Sequence, residues 1–117
     1  MFQADLLAGK RILITGGGTG LGKSIGRRYV ELGAELVICG RRLEKLEETR
    51  AEFEKDLGGK VSIHRCDVRD PDAVEAMMDM IWADGPLDVL VNNAAGNFIA
   101  QTERLSHRAI DAVLGIV

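Results

Sequence analysis

At 117 residues the chain is sized for one domain, and its 46% of apolar residues can build a core without disulfide or metal staples. A formal charge of −3 with no basic stripe offers nothing to a phosphate backbone, so no nucleic-acid partner is expected. No apolar run approaches the roughly 20 residues that span a bilayer, and Met1-Phe2-Gln3-Ala4-Asp5 carries neither a basic n-region nor an Arg/Ser-rich leader. The expectation is a cytoplasmic protein off the membrane. Cys39 and Cys66 form no CxxC, and His64 beside them adds one ligand, too few for zinc. They read as buried thiols in a reducing compartment.

In chain order, Arg11-Ile12-Leu13-Ile14-Thr15 predicts a short buried strand running into glycines. Leu21, Ile25, Tyr29 and Leu32 recur at helical spacing, with Gly33 as the C-cap. Glu35-Leu36-Val37-Ile38-Cys39 predicts a second strand. A charged helix follows over about 43–57, with Leu43, Leu46, Phe53 and Leu57 on one side and Gly58-Gly59 ending it. Val61 to Cys66 predicts a third, weaker strand, because Ser62, His64 and Arg65 interrupt its apolar residues.

Asp70-Pro71-Asp72 predicts a helix start, with a carboxylate cap, proline at N1 and acid in the first turn. Val74, Met77, Met78, Ile81 and Trp82 form its expected buried stripe. Gly85-Pro86 turns the chain into a fourth strand, Leu87-Asp88-Val89-Leu90-Val91. An irregular stretch over 92–103 precedes a last amphipathic segment from Ser106, with Ile110, Val113, Leu114 and Val117 aligned. Strands alternating with helices imply an α/β fold with a parallel sheet and right-handed crossovers.

Thr15-Gly16-Gly17-Gly18-Thr19-Gly20-Leu21-Gly22 joins the first strand to the first helix. Free backbone N–H groups and the helix dipole make such a turn an anion site, and glycines let the backbone approach a phosphate more closely than a Cβ allows. A rival pattern overlaps it: Gly17-x4-Gly22-Lys23-Ser24 formally matches the P-loop of a nucleoside triphosphatase. That reading needs a Walker-B acid after an unbroken apolar strand. Its candidate, Asp67, follows the half-polar Ile63-His64-Arg65-Cys66. The dinucleotide reading is therefore preferred: a Rossmann-type, doubly wound sheet, incomplete at four strands in the order 3-2-1-4.

The end of the second strand refines the cofactor. In dinucleotide folds an acid there accepts from the ribose 2′-hydroxyl of NAD. Here the residues are Cys39-Gly40-Arg41-Arg42. No carboxylate is present to repel a 2′-phosphate and two guanidiniums could bind one, so NADP(H) is expected over NAD(H). The bland alternative is a pair of solvated arginines opening a helix, although helix starts do not favour cations.

Three motifs in order give the chain a resemblance to the short-chain dehydrogenase/reductases. Thr15-Gly16-x3-Gly20-x-Gly22 resembles that family's cofactor turn, Cys66-Asp67-Val68 its adenine contact, and Asn92-Asn93-Ala94-Ala95-Gly96 its second signature. Within the family, Cys66 to Asp72, Asn92 to Ile99 and Thr102 to Ser106 resemble the NADPH-dependent 2,4-dienoyl-CoA reductases of fatty acid metabolism. The resemblance implies hydride delivery to the δ-carbon of a dienoyl thioester and protonation at the α-carbon, giving a 3-enoyl-CoA. It implies cofactor contacts at Thr15, Gly16, Gly18, Thr19, Gly20, Leu21, Gly22, Arg41, Asp67, Val68, Asn93, Ala94 and Gly96. Acyl-CoA contacts are implied at Arg69, Phe98 and Ser106, with helix capping by Ser106 and plain packing of Phe98 as the alternatives. Gly40 stands where the family often has a serine, which removes one hydroxyl contact.

The family's catalytic Tyr-x3-Lys has no counterpart, since the sole tyrosine, Tyr29, lies in the first predicted helix. The catalytic asparagine would fall just beyond Val117. The whole chain, 1–117, therefore reads as the NADP-binding half of a reductase without its catalytic C-terminal half, inactive alone and homo-oligomeric in its full-length form. Two alternatives stand beside the dienoyl-CoA reading: a reductase of 3-oxoacyl thioesters or other carbonyls in the same family, and a non-catalytic cofactor-binding module.

Overall fold

Residues 5–18 and 20–93 are described in a computed structural model. Its central strand, β1 (Arg11–Thr15), is buried at every position. α1 (Gly20–Glu31), β2 (Glu35–Gly40), α2 (Leu43–Leu57), β3 (Val61–Arg65), α3 (Pro71–Ala83) and β4 (Val89–Asn92) follow in alternation. All pairings are parallel, as the alternation predicted, and the order is β3-β2-β1-β4, as the Rossmann-type reading expected. Thr15 pairs with Cys39 on one side and Asn92 on the other, and Gly40 pairs with Arg65. The strands therefore end together, and the direction of winding reverses between β1 and β4. That reversal opens a crevice at the C-terminal strand ends, where open α/β sheets bind ligands.

Period-two alternation sends successive strand residues to opposite faces. Ile12, Ile14, Leu36 and Ile38 join Val30, Leu46 and Phe53 under α1 and α2. Leu13, Val37 and Cys39 join Val74, Met78 and Ile81 under α3. The sheet is thus covered on both faces by separate apolar layers. Among the described residues no helix is long and apolar enough to cross a membrane.

The start of α3 follows its sequence signal. The Asp70 carboxylate accepts from the backbone N–H groups of Asp72 and Ala73, with Pro71 at the start of the helix. At its other end the buried Arg11 donates from Nη1 to the carbonyls of Ile81 and Gly85, at 2.8 and 2.7 Å. Its Nε holds Glu35 at 2.8 Å, so a cation satisfies the negative end of the helix dipole.

Two helical stripes differ from expectation. In α1 the buried residues are Gly22, Gly26 and Val30, while Leu21 is 68% exposed and Ile25 and Tyr29 lie at the shoulder of the layer. The helix approaches the sheet along its small residues: a Cβ at Gly26 would sit 3.0 Å from Leu36 Cδ2. In α2, Leu43 is 40% exposed and Thr49 is buried with Leu46 and Phe53. β3 stops at Arg65, one residue earlier than expected, and β4 begins at Val89, with Leu87 already in the core. The amphipathic segment expected from Ser106 lies outside the described residues.

Candidate functional site

The glycine turn is built by close contacts on three sides. Gly16 takes φ 69°, a left-handed conformation that L side chains resist. Its N–H and that of Gly17 both donate to the Cys39 carbonyl, at 2.9 and 3.4 Å, so the turn stays fastened to β2 as it leaves β1. The Gly16 carbonyl then faces the start of α1. A Cβ at Gly22 would collide with that oxygen and lie 2.7 Å from Asn93 Nδ2. On the other side, the Gly18 carbonyl accepts from the Thr49 hydroxyl at 3.0 Å.

Thr15 and Asn93 tie the strand ends on either side of the crevice. The Asn93 backbone N–H donates to Thr15 Oγ1 at 2.9 Å, and its side-chain amide donates to the Gly16 carbonyl at 3.4 Å. Thr15 Oγ1 is in turn 3.3 Å from Asn92 Oδ1 and 3.5 Å from the Val91 carbonyl. α1 consequently starts in a fixed place, its first-turn N–H groups without intrahelical partners by helix geometry. That terminus suits a diphosphate.

Lys23 does not extend toward the turn. Its ammonium pairs with Glu52 of α2 at 3.0 Å, and Arg27 reaches the other oxygen of Glu52 at 3.2 Å. In the P-loop reading this lysine would hold a triphosphate. Here it belongs to an ionic contact between two surface helices.

Beside the turn a cleft of about 330 Å³ opens between the ends of β2 and β3. Gly16, Gly18 and Gly40 form one part of its lining, and the buried Leu46, Cys66 and Val68 give it an apolar part suited to a flat ring. Arg41, Arg42, Lys45 and Arg69 supply four positive charges against the single carboxylate of Asp67. Three of these cations have carboxylates of their own: Arg42 pairs with Glu44 at 3.6 Å, Lys45 with Glu48 at 3.7 Å and Arg69 with Asp67 at 2.9 Å. Arg41 has no ion-pair partner among the described residues.

Asp67 is held as a carboxylate. Arg69 donates from Nε to Oδ1 at 3.0 Å and from Nη2 to Oδ2 at 2.9 Å, and its backbone N–H reaches Oδ1 at 2.9 Å. These hydrogen bonds, aided by the nearby charge of Arg41, pull its pKa down to about 2. The thiols shift the other way. Burial, reinforced by Cys66, raises Cys39 to about 12, and burial with the neighbouring Asp67 and Asp70 raises Cys66 to about 11. Neither carries a thiolate at neutral pH.

The structure thus brings Thr15, Gly16, Gly18, Gly20, Leu21, Gly22 and Asn93 together around the turn, with the Leu21 side chain in solvent. Arg41, Asp67 and Val68 share the adjoining cleft, and so does Arg69, for which the family resemblance implied an acyl-CoA contact. Thr19, Ala94, Gly96, Phe98 and Ser106 lie outside the described residues. Sequence reasoning missed Thr49 and Lys45. Thr49 had a signal: it falls three residues after Leu46 and four before Phe53, on the buried stripe of α2.

Comparison with known proteins agrees with this geometry. Residues 10–116 match the short chain dehydrogenase family. A probable 2,4-dienoyl-CoA reductase 3, (3E)-enoyl-CoA-producing, from Caenorhabditis elegans is 48% identical over 114 residues, which are 95% of this chain and 37% of that protein. A citronellol catabolism dehydrogenase from Pseudomonas aeruginosa superposes with a TM-score of 0.78 at 39% identity, over 98% of this chain and 47% of its own. An alcohol dehydrogenase from the archaeon Thermococcus sibiricus, complexed with 5-hydroxy-NADP, superposes with a TM-score of 0.67 at 29% identity, over 69% of this chain and 35% of its own. The chain spans a little over a third of the length of the curated relatives it matches first. It belongs to the short chain dehydrogenase family, whose oxidoreductases use nicotinamide cofactors.

Proposed function

We propose that the chain is the cofactor-binding part of an NADPH-dependent reductase acting on unsaturated acyl-CoA thioesters. The observation that carries the NADPH assignment is Arg41, the cleft cation without a carboxylate partner among the described residues, at the β2 end where an NAD-binding fold places an acid. The C. elegans relative supports the substrate class at 48% identity. The superposed archaeal dehydrogenase, named for its complex with an NADP derivative, supports the cofactor.

When bound, the nicotinamide supplies a hydride. The residues of this chain bind and orient. The glycine turn and the α1 terminus would receive the pyrophosphate on backbone N–H groups, and glycine is needed there because a Cβ at Gly22 would meet the Gly16 carbonyl. Arg41 would pair with the 2′-phosphate. Leu46, Cys66 and Val68 would line the adenine's place, and Asp67, fixed by Arg69, could accept from its amino group. Arg69 serves the adenosine end in this reading rather than the acyl-CoA. Asn93, bonded to Thr15 and Gly16, keeps the crevice between β1 and β4 at a set width.

The test is Arg41→Ala in the protein's full natural length. Loss of a charge-assisted contact costs about 1.5–3 kcal/mol, so NADPH should bind roughly ten- to a hundredfold more weakly while NADH binding stays near wild type. Equal losses for the two cofactors would sink the 2′-phosphate assignment. NADPH oxidation followed with a 2,4-dienoyl-CoA and with a 3-oxoacyl thioester tests the substrate class. Turnover of the oxoacyl compound alone would keep the family and discard the dienoyl reading.

A further inference from the structure

α2 buries three residues, and one of them is polar: Thr49 is 0% exposed between Leu46 and Phe53. Valine would fill the same space with no hydrogen-bonding demand, whereas a buried hydroxyl must find a partner. This one donates to the carbonyl of Gly18, 31 residues earlier, at 3.0 Å. Gly18 is also where the glycine turn packs on the beginning of α2. A Cβ there would lie 3.2 Å from Leu46 Cδ2 and 3.5 Å from the Leu46 backbone nitrogen. The same helical turn brings Lys45 and Leu46 into the cleft that Arg41 and Arg42 also line.

We infer that Thr49 is a positioning residue that docks the pyrophosphate-binding turn onto α2, so that the turn and the cationic cleft present one dinucleotide-shaped surface. The inference rests on the NADPH reading given above. Thr49 does not touch the cofactor. It holds the Gly18 peptide in one orientation, which matters because an anion site made of backbone groups is only as ordered as its peptide planes. Without the hydroxyl the Gly18 carbonyl would lose its partner on α2, and the turn would be free to rotate it elsewhere.

The test uses two ligands, NADPH and adenosine 2′-monophosphate, which carries the 2′-phosphate and adenine but no pyrophosphate. Both are titrated into full-length wild type, Thr49→Val, Thr49→Ala and Thr49→Ser, with thermal melts alongside. Losing one buried hydrogen bond should weaken NADPH about tenfold in the valine and alanine variants. Serine, which keeps the hydroxyl, should bind NADPH like wild type, and the nucleoside monophosphate should bind equally to all four proteins. If Thr49→Val does not fold, Thr49→Ala carries the comparison, because it removes the hydroxyl without setting a new apolar atom beside the carbonyl. Unchanged NADPH affinity in a folded hydroxyl-free variant overturns the inference, and so do parallel losses for both ligands, the mark of a purely structural role. Wild-type protein that binds neither ligand removes the site itself, and the inference falls with it.

Discussion

Replacing Gly22 by alanine puts the turn under a load whose size follows from its geometry. The new Cβ would collide with the Gly16 carbonyl oxygen and lie 2.7 Å from Asn93 Nδ2. Comfortable contacts between carbon atoms lie at about 3.5–4.0 Å, so the start of α1 must retreat from β1 by roughly an ångström. Neither obstacle yields easily. One is backbone fixed by the left-handed Gly16, and the other is an amide that bonds across the crevice. Overpacking of this kind costs about 1–3 kcal/mol, and the helical preference of alanine over glycine returns up to about 1 kcal/mol. The net loss is then between about 0 and 3 kcal/mol, with a fall in Tm of roughly 4–8 °C for each kcal/mol lost. Retreat of the helix also withdraws its N–H groups from the pyrophosphate, so NADPH affinity should fall at least about tenfold. Thermal melting and equilibrium binding on the same preparation check both numbers. A Gly22→Ala protein that melts at or above wild type and binds NADPH unchanged would refute the close-approach argument.

Two further outcomes follow from the ionisable groups. Cys39 and Cys66, with thiols raised to about 12 and about 11, should resist alkylation at neutral pH and react at once in denaturant; intact-mass spectrometry showing prompt native labelling of Cys39 would contradict its placement. Asp67, held down to about 2, favours the fold most where it is ionised. Its contribution is complete above the ordinary carboxylate range near ~4 and disappears as pH falls toward about 2. An NMR titration should place its midpoint well below that of a free aspartate and move it upward in Arg69→Ala; a midpoint near ~4 in the unaltered protein would show that the Arg69 pairing does not persist in solution.

The architecture was legible because each of its signals is local. Strand runs bounded by glycines, the Asp70-Pro71 helix start and the alternation of types give the element order and a parallel sheet, while the strand order came with the Rossmann-type reading of the glycine turn. The glycine turn could be found for the same reason, whereas the acid of Cys66-Asp67-Val68 stood out only through the family resemblance. What escaped depends on which way a helix turns against the sheet. Leu21 and Leu43 satisfy the helical period yet remain exposed, because Gly22 and Gly26 let α1 lie flush and the buried face of α2 runs through Leu46, Thr49 and Phe53. Large side chains dominate any periodicity count, so a buried face made of glycines does not register. The pairing of Arg69 with Asp67 escaped for another reason: two residues apart in a loop, they can meet or diverge, and only the turn after β3 decides.

The two apolar layers have a consequence for how this chain can change. One holds Phe53 and Ile14, the other Met78 and Leu13, and the backbone of the sheet stands between them. Substitutions in separate layers share no packing partner, so their effects on stability should add. Each layer is therefore free to exchange its side chains without compensation in the other. That freedom stops at the top of the sheet, where the turn beneath α1 meets Asn93 and the Cys66–Val68 segment borders the same cleft as Leu46. Residues there answer to both layers at once, and a designer who rebuilds this chain has liberty nearly everywhere except along that rim.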